Sequence, residues 1–340
     1  MKLKMKKINC NYAKIMEEDS FVSSIKPFEN VVVETINAFG DRFDNLADLY
    51  KLLKNKNGEW HHHPLTGPIG VYGAKKGDYL RVDIGEIKAY EMAQSLSQSA
   101  GVSPQKVDCV GDRGPIIARA EKNFNGEITG IHYNEGIILP YNPMVGMIGT
   151  TPESEAVKTG HAFRTGGNLD LPFITEDVSV FLPVEVEGAG LYIGDCHALQ
   201  GYGELSGVAL ECSADVELST SIYSPSLQLE NSPIFIVGKE PFSNQYGVGV
   251  VGVSSEFNNL NEAVFRAYNS SAEFIDRICP RVNSRSAKNL VGLLGNVMSG
   301  QAYSKTSESV AMVFFPEDSL KAIYGGNSNR LLEDIVESIF

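Results

Sequence analysis

The segment LYIGDCHALQGYGELSG, residues 191–207, holds the most informative set of chemically useful side chains in the chain. Asp195 and His197 stand two residues apart, so in an extended strand they share one face while Cys196 points the other way. Gly201, Gly203 and Glu204 follow in what reads as a tight turn. Carboxylate oxygen and neutral imidazole nitrogen are ligands suited to a divalent metal. A hydrogen-bonded Asp–His pair at a strand terminus fits the same spacing, and spacing alone leaves both readings open. Cys196 as a nucleophile would need a base on its own side of the strand. The sequence supplies none, so the thiol reads as buried and structural.

Two further segments invite attention. The triplet His61, His62 and His63 precedes PLTGP. Successive residues of an extended segment alternate in direction, so the three cannot all face one site, and a solvated loop accounts for at least two of them. RTGGNLD, residues 164–170, is a Gly-rich turn in which Gly166 and Gly167 would let backbone N–H groups approach a ligand closely. It matches neither the Walker nor the dinucleotide pattern, and an ordinary turn is the plainer reading.

The elements that must position these groups are mostly strands. NVVVETINAFG (29–39) has a β-branched run closed by Gly, and in RVDIGEI the apolar Val82, Ile84 and Ile87 interleave with Arg81, Asp83 and Glu86. Runs at Ile69–Tyr72 and Tyr79–Ile87 read as strands. So do GPIIARAE and GEITGIHY around a turn at Asn125-Gly126, and the stretches between 177 and 236. Residues 1–28 show no period and read as an irregular lead-in. Residues 45–54 predict a short amphipathic helix. Asn259 three residues before Glu262 predicts a capped helix over 260–278, ended by Pro280. A helix over 284–295, a strand at 309–315 and a helix through NRLLEDIVESIF complete the reading. The expectation is a mainly β protein with jelly-roll-like sandwich and barrel-like portions and a small α/β C-terminal part. Its divisions would be a β-rich domain over 1–150, a β-rich domain carrying the candidate site over 151–255, and an α/β part over 256–340.

Composition bounds the function. A chain of 340 residues, 43% hydrophobic and 21% charged, is an ordinary globular sequence with enough length for a large core. Its net charge of -13 argues against nucleic acid as a partner. No apolar stretch is long enough to span a membrane. The opening MKLKMKK leads into residues without the apolar core of a signal peptide, and the five Cys are scattered. The expectation is a cytoplasmic protein with reduced thiols.

The order of motifs along the chain carries more than any one of them. HPLTGPIGVYGAKKGDYLRVDI, PMVGMIG, GGNLDL, LPVEVEGAGLYIGDCHALQGYGE and a segment ending in VFFP follow one another between residues 60 and 316. This succession resembles the acetamidase/formamidase family, with TGP-x-x-V-x-GA-x-x-GD and GD-x-HA-x-QG-x-GE as its specific parts. The resemblance implies hydrolysis of a short carboxamide to carboxylate and ammonia, a small amide substrate, a homo-oligomer, and a divalent metal, zinc, at the site. Amide hydrolysis needs an activated water, a stabiliser for the oxyanion and an acid for departing ammonia. On that reading Asp195 and His197 are metal ligands, with His63 a third. Glu204 is the proton shuttle or a further ligand, Asn168 and Asp170 orient substrate or ligands, and the Gly166–Gly167 backbone lies near the oxyanion. The chain carries Asn37 where the family commonly has an acid, and Tyr202 where it has Asp; Tyr202 would then line the pocket and alter substrate preference. Two other readings stand beside it: a non-catalytic β-sandwich with a decayed site, and a metal-free amidase using Cys196.

Overall fold

The computed structural model describes residues 5–17, 20–55, 63–95, 101–102, 115–134, 136–225, 233–279, 281–324 and 330–340. His61, His62, Cys109 and Pro280 lie outside them. The described chain is mostly β, built on a sheet of 18 strands and a separate two-stranded pair. No ladder among the described residues closes the sheet into a barrel, so the barrel-like portion expected from sequence is an open, branched sheet. Among the described residues no helix is long and apolar enough to cross a membrane.

The backbone of the sheet is the antiparallel pairing of the strands Tyr79–Gln94 and Leu210–Tyr223. Val82 and Ile84 are buried there by simple alternation, but Ile87 takes the next inward position. The register explains the skip: Leu218 pairs with Ile84 and Val216 with Ile87, so one extra residue is accommodated around Gly85. Such a bulge flips the phase of the pattern and increases the local twist. A second shift follows between Cys212 and Ala214. The strands Val178–Pro183, Leu191–Leu199 and Leu210–Tyr223 are hydrogen-bonded to strands from the first 150 residues.

Helix Leu260–Ile278 begins as the sequence predicts, with the Asn259 side chain accepting from the Glu262 N–H. Its inner face buries Ala267, Phe274 and Ile275 against Phe235, Val248, Val250 and Phe315 of the sheet. Gly252 makes the close approach possible: a Cβ there would lie 2.3 Å from the Ala263 carbonyl oxygen and the Ala267 nitrogen.

Two expectations need correction. Residues 1–28 are not irregular throughout: Lys6–Ile8 and Ser23–Ile25 pair parallel to Val31–Thr35 and Leu65–Val71, and Ile15–Met16 pairs with Val157–Lys158. Segments of two or three residues are too short to display a period and are held by their partners. A helix at Glu317–Tyr324, directly after the strand Glu308–Pro316, was also not anticipated.

Candidate metal centre

Asp195 and His197 belong to the strand Leu191–Leu199, which is buried along almost its whole length. They meet on one side, with His197 Nε2 3.7 Å from Asp195 Oδ1. Cys196 faces the other way, where Thr35 Oγ1 donates to its sulfur at 3.4 Å. Burial pushes that thiol up to about 12, so it is neutral at physiological pH.

Four neighbouring segments complete the cluster. Across the antiparallel ladder, Glu211 stands directly opposite His197, its Oε2 3.4 Å from His197 Nε2. The pairing of Gly194 with Leu65 brings the preceding His63 alongside, and its Nδ1 lies 2.7 Å from Asp195 Oδ2. Beyond the strand Gly166–Asn168, Asp170 is positioned by its backbone N–H, which donates to the Gly146 carbonyl at 3.0 Å. Asn168 Nδ2 donates to Asp170 Oδ2 at 2.6 Å. Glu204 enters from the turn after His197, anchored by Gln301 Nε2, which donates to Glu204 Oε2 at 3.2 Å. Donor atoms of Asp170, Asp195 and His197, and of His197, Glu204 and Glu211, fall in two groups, each with all its atoms within 4.8 Å of one another.

Three of the nine non-glycine residues with positive φ among the described residues lie here. Asp170, Asp195 and Glu204 all have positive φ, at 46°, 50° and 42°. A side chain in this region costs about 1–2 kcal/mol, and such strain persists where the surroundings over-determine it, commonly at functional sites.

The electrostatics state what the cluster lacks. Asp170, Asp195, Glu204 and Glu211 are each no more than 7% exposed. Asp170 Oδ1, Asp195 Oδ1, Glu211 Oε2 and Asn168 Oδ1 have no hydrogen-bond partner among the described residues. Burial raises the Asp195 carboxyl, but His63 and His197 outweigh it and hold the group well below the usual carboxylate range. Burial, reinforced by Glu204 and Asp195, lifts Asp170 well above that range. Burial also pushes Glu204 up to about 7. Burial would lower His197, yet Glu211 and Asp195 raise it well above its ordinary value. Two acids are thus pushed toward the protonated form for want of positive charge. A divalent cation suits this donor set of hard oxygens and one imidazole, and would take the place of those protons.

Several assignments look different in three dimensions. Gly166 and Gly167 have φ of 112° and 111°, and a Cβ on them would lie 2.3 Å from the Ile148 oxygen and 2.4 Å from the His161 oxygen. Close packing of neighbouring strands therefore accounts for both glycines. The Tyr202 hydroxyl donates to Glu240 Oε1 at 3.0 Å and its ring packs on Phe242, so these contacts lie outside the donor set. Asn37 Nδ2 donates to Glu91, Ser213 and the Asp41 carbonyl, none of them a donor in the cluster. Sequence reasoning missed Glu211, Gln200 and Gln301. Glu211 had a signal: a lone acid between Leu210 and Cys212 at a strand end.

Relatives agree with this architecture. A putative formamidase of Schizosaccharomyces pombe is 24% identical over 271 residues, 64% of this chain and 66% of its own. An acetamidase of Mycolicibacterium smegmatis is 25% identical over 258 residues, 56% of this chain and 62% of its own. The matches thus span a little under two thirds of each relative. The crystal structure of a predicted acetamidase/formamidase from Thermoanaerobacter tengcongensis superposes with a TM-score of 0.78 at 26% identity, covering 94% of this chain and 98% of that one. The sequence model of the acetamidase/formamidase family matches residues 12–162 and 153–280, which include every member of the cluster, and the chain belongs to that family.

Proposed function

We propose that the protein hydrolyses a short carboxamide to carboxylate and ammonia, with a divalent cation, zinc, held by Asp195, His197, Glu211 and Asp170. The observation that carries this reading is the set of buried oxygens without hydrogen-bond partners around His197 Nε2. Bound there, the cation supplies a Lewis acid and lowers the pKa of a coordinated water. His63, against Asp195, completes or orients the ligand set.

The chain's own groups handle the proton. A carboxyl at about 7 exchanges its proton readily near neutral pH. Glu204 takes a proton from the attacking water and delivers it to the amide nitrogen as the C–N bond breaks. Water supplies the new C–O bond, and the nitrogen leaves as ammonia. Asn168 Oδ1, buried without a partner, accepts from the substrate N–H and so selects a primary amide over an ester. The same reading takes the protein as a cytoplasmic homo-oligomer, with Tyr202 shaping the acyl side of the pocket and the Gly166–Gly167 backbone near the oxyanion.

The test is ammonia release from formamide, acetamide and a longer amide by purified protein, beside its His197→Ala variant. Turnover abolished in a folded variant supports the reading. No turnover of any amide by metal-loaded wild type sinks it and favours the non-catalytic alternative.

A further inference from the structure

Gln200 is buried at 4% exposure, three residues after His197 and four before Glu204. Both ends of its side chain are engaged. Its Oε1 lies 2.7 Å from His197 Nδ1, and its Nε2 donates to the Asp170 main-chain carbonyl at 2.6 Å. The two contacts are not interchangeable. A carbonyl oxygen only accepts, so the amide NH2 must face Asp170 and the amide oxygen must face the imidazole. An amide oxygen also only accepts, so Nδ1 must carry the proton. In the neutral form that a cation requires, the lone pair is then on Nε2, the nitrogen aimed at Asp195 and Glu211.

We propose that Gln200 is a positioning residue that fixes the His197 tautomer and ties the imidazole to the Asp170 segment, so that ligands on two separate segments share one geometry. The proposal rests on the metal reading for its effect on affinity. Its hydrogen bonds stand independently of that reading. An outer partner of this kind orients its ligand, and its loss typically costs about 10- to 100-fold in metal affinity.

The decisive variant is Gln200→Met, which keeps the side-chain length and removes both hydrogen bonds. Zinc affinity is read by competition with a chromophoric chelator. The His197 Nδ1–H proton is read by NMR on protein labelled with 15N-histidine, assigned by its absence in His197→Ala. Wild type should show a slowly exchanging Nδ1–H resonance. Gln200→Met should lose that protection and bind zinc about 10- to 100-fold more weakly. Unchanged zinc affinity in the variant overturns the proposal. Should the variant not fold, the wild-type spectrum decides, and a rapidly exchanging or absent Nδ1–H overturns it. Should wild type bind no zinc, the metal reading fails; loss of Nδ1–H exchange protection from metal-free wild type to variant then still supports the role of Gln200, and equal protection in both overturns it.

Discussion

His197 and Glu211 are a directly opposed cross-strand pair, Nε2 to Oε2 at 3.4 Å, at the end of the ladder where the register shifts between His197 and Leu199. The pairing of two strands thus places a carboxylate beside the imidazole. No local spacing within either strand would do so.

Glu211→Gln should separate metal binding from folding. The variant keeps the shape of the side chain but removes the charge that faces His197 Nε2, and breaking a buried pair costs stability. In the presence of chelator its melting temperature should fall below that of wild type. In excess zinc, wild type should gain more, because a ligand stabilises by its occupancy of the native state. Paired thermal melts check this; equal zinc stabilisation of both proteins would remove Glu211 from the ligand set.

Cys196 should be inert. Its thiol is raised to about 12 against 9.0 for an ordinary one, through burial. Iodoacetamide at pH 7.5 should leave it unmodified in folded protein, and Cys196→Ser should keep substantial turnover. The sign of the pH effect follows. Below pH 9 the thiol is protonated in both states. Between 9 and 12 the unfolded chain ionises first, so stability falls with rising pH, on the order of 1 kcal/mol per unit for each such group. Denaturant melts from pH 8 to 10.5 should fall less steeply in Cys196→Ala than in wild type.

Gly252→Ala should loosen the docking of helix Leu260–Ile278. The added methyl meets the backbone of Ala263 and Ala267, which cannot yield as a flexible side chain would. A loss of about 1–3 kcal/mol is expected, as for overpacking in a core. Urea unfolding measures it, with turnover per folded molecule little changed.

Tyr202→Phe discriminates packing from substrate selection. Losing the hydroxyl leaves the buried Glu240 carboxylate one donor short, at a cost of about 1–3 kcal/mol. If Tyr202 acts through this contact, the ratio of kcat/KM for formamide, acetamide and a longer amide stays the same. A shifted ratio would place its hydroxyl at the substrate.

The sequence was most readable where a local rule dominates. Asn259 and the helical spacing behind it marked the start and body of Leu260–Ile278. Period-two spacing placed Asp195 and His197 together and Cys196 apart, despite the left-handed turn of the chain at Asp195. Legibility failed where partners come from distant parts of the chain. Glu211 is aligned by a ladder, and Gln301 reaches Glu204 with its amide held by Ser307. The packing need for the glycines of GGN was hidden for a related reason: it is set by the neighbouring Ile148 and His161 backbone.

The proposed function requires that the acids around His197 hold a cation on which amide hydrolysis depends. The most direct measurement is ammonia release from acetamide and formamide before chelation, after chelation, and after titration with zinc, with metal content determined on the same samples. Turnover should disappear with the metal and return in proportion to zinc bound, reaching its full value at saturation of the site. Undiminished turnover in protein shown to be metal-free would contradict it.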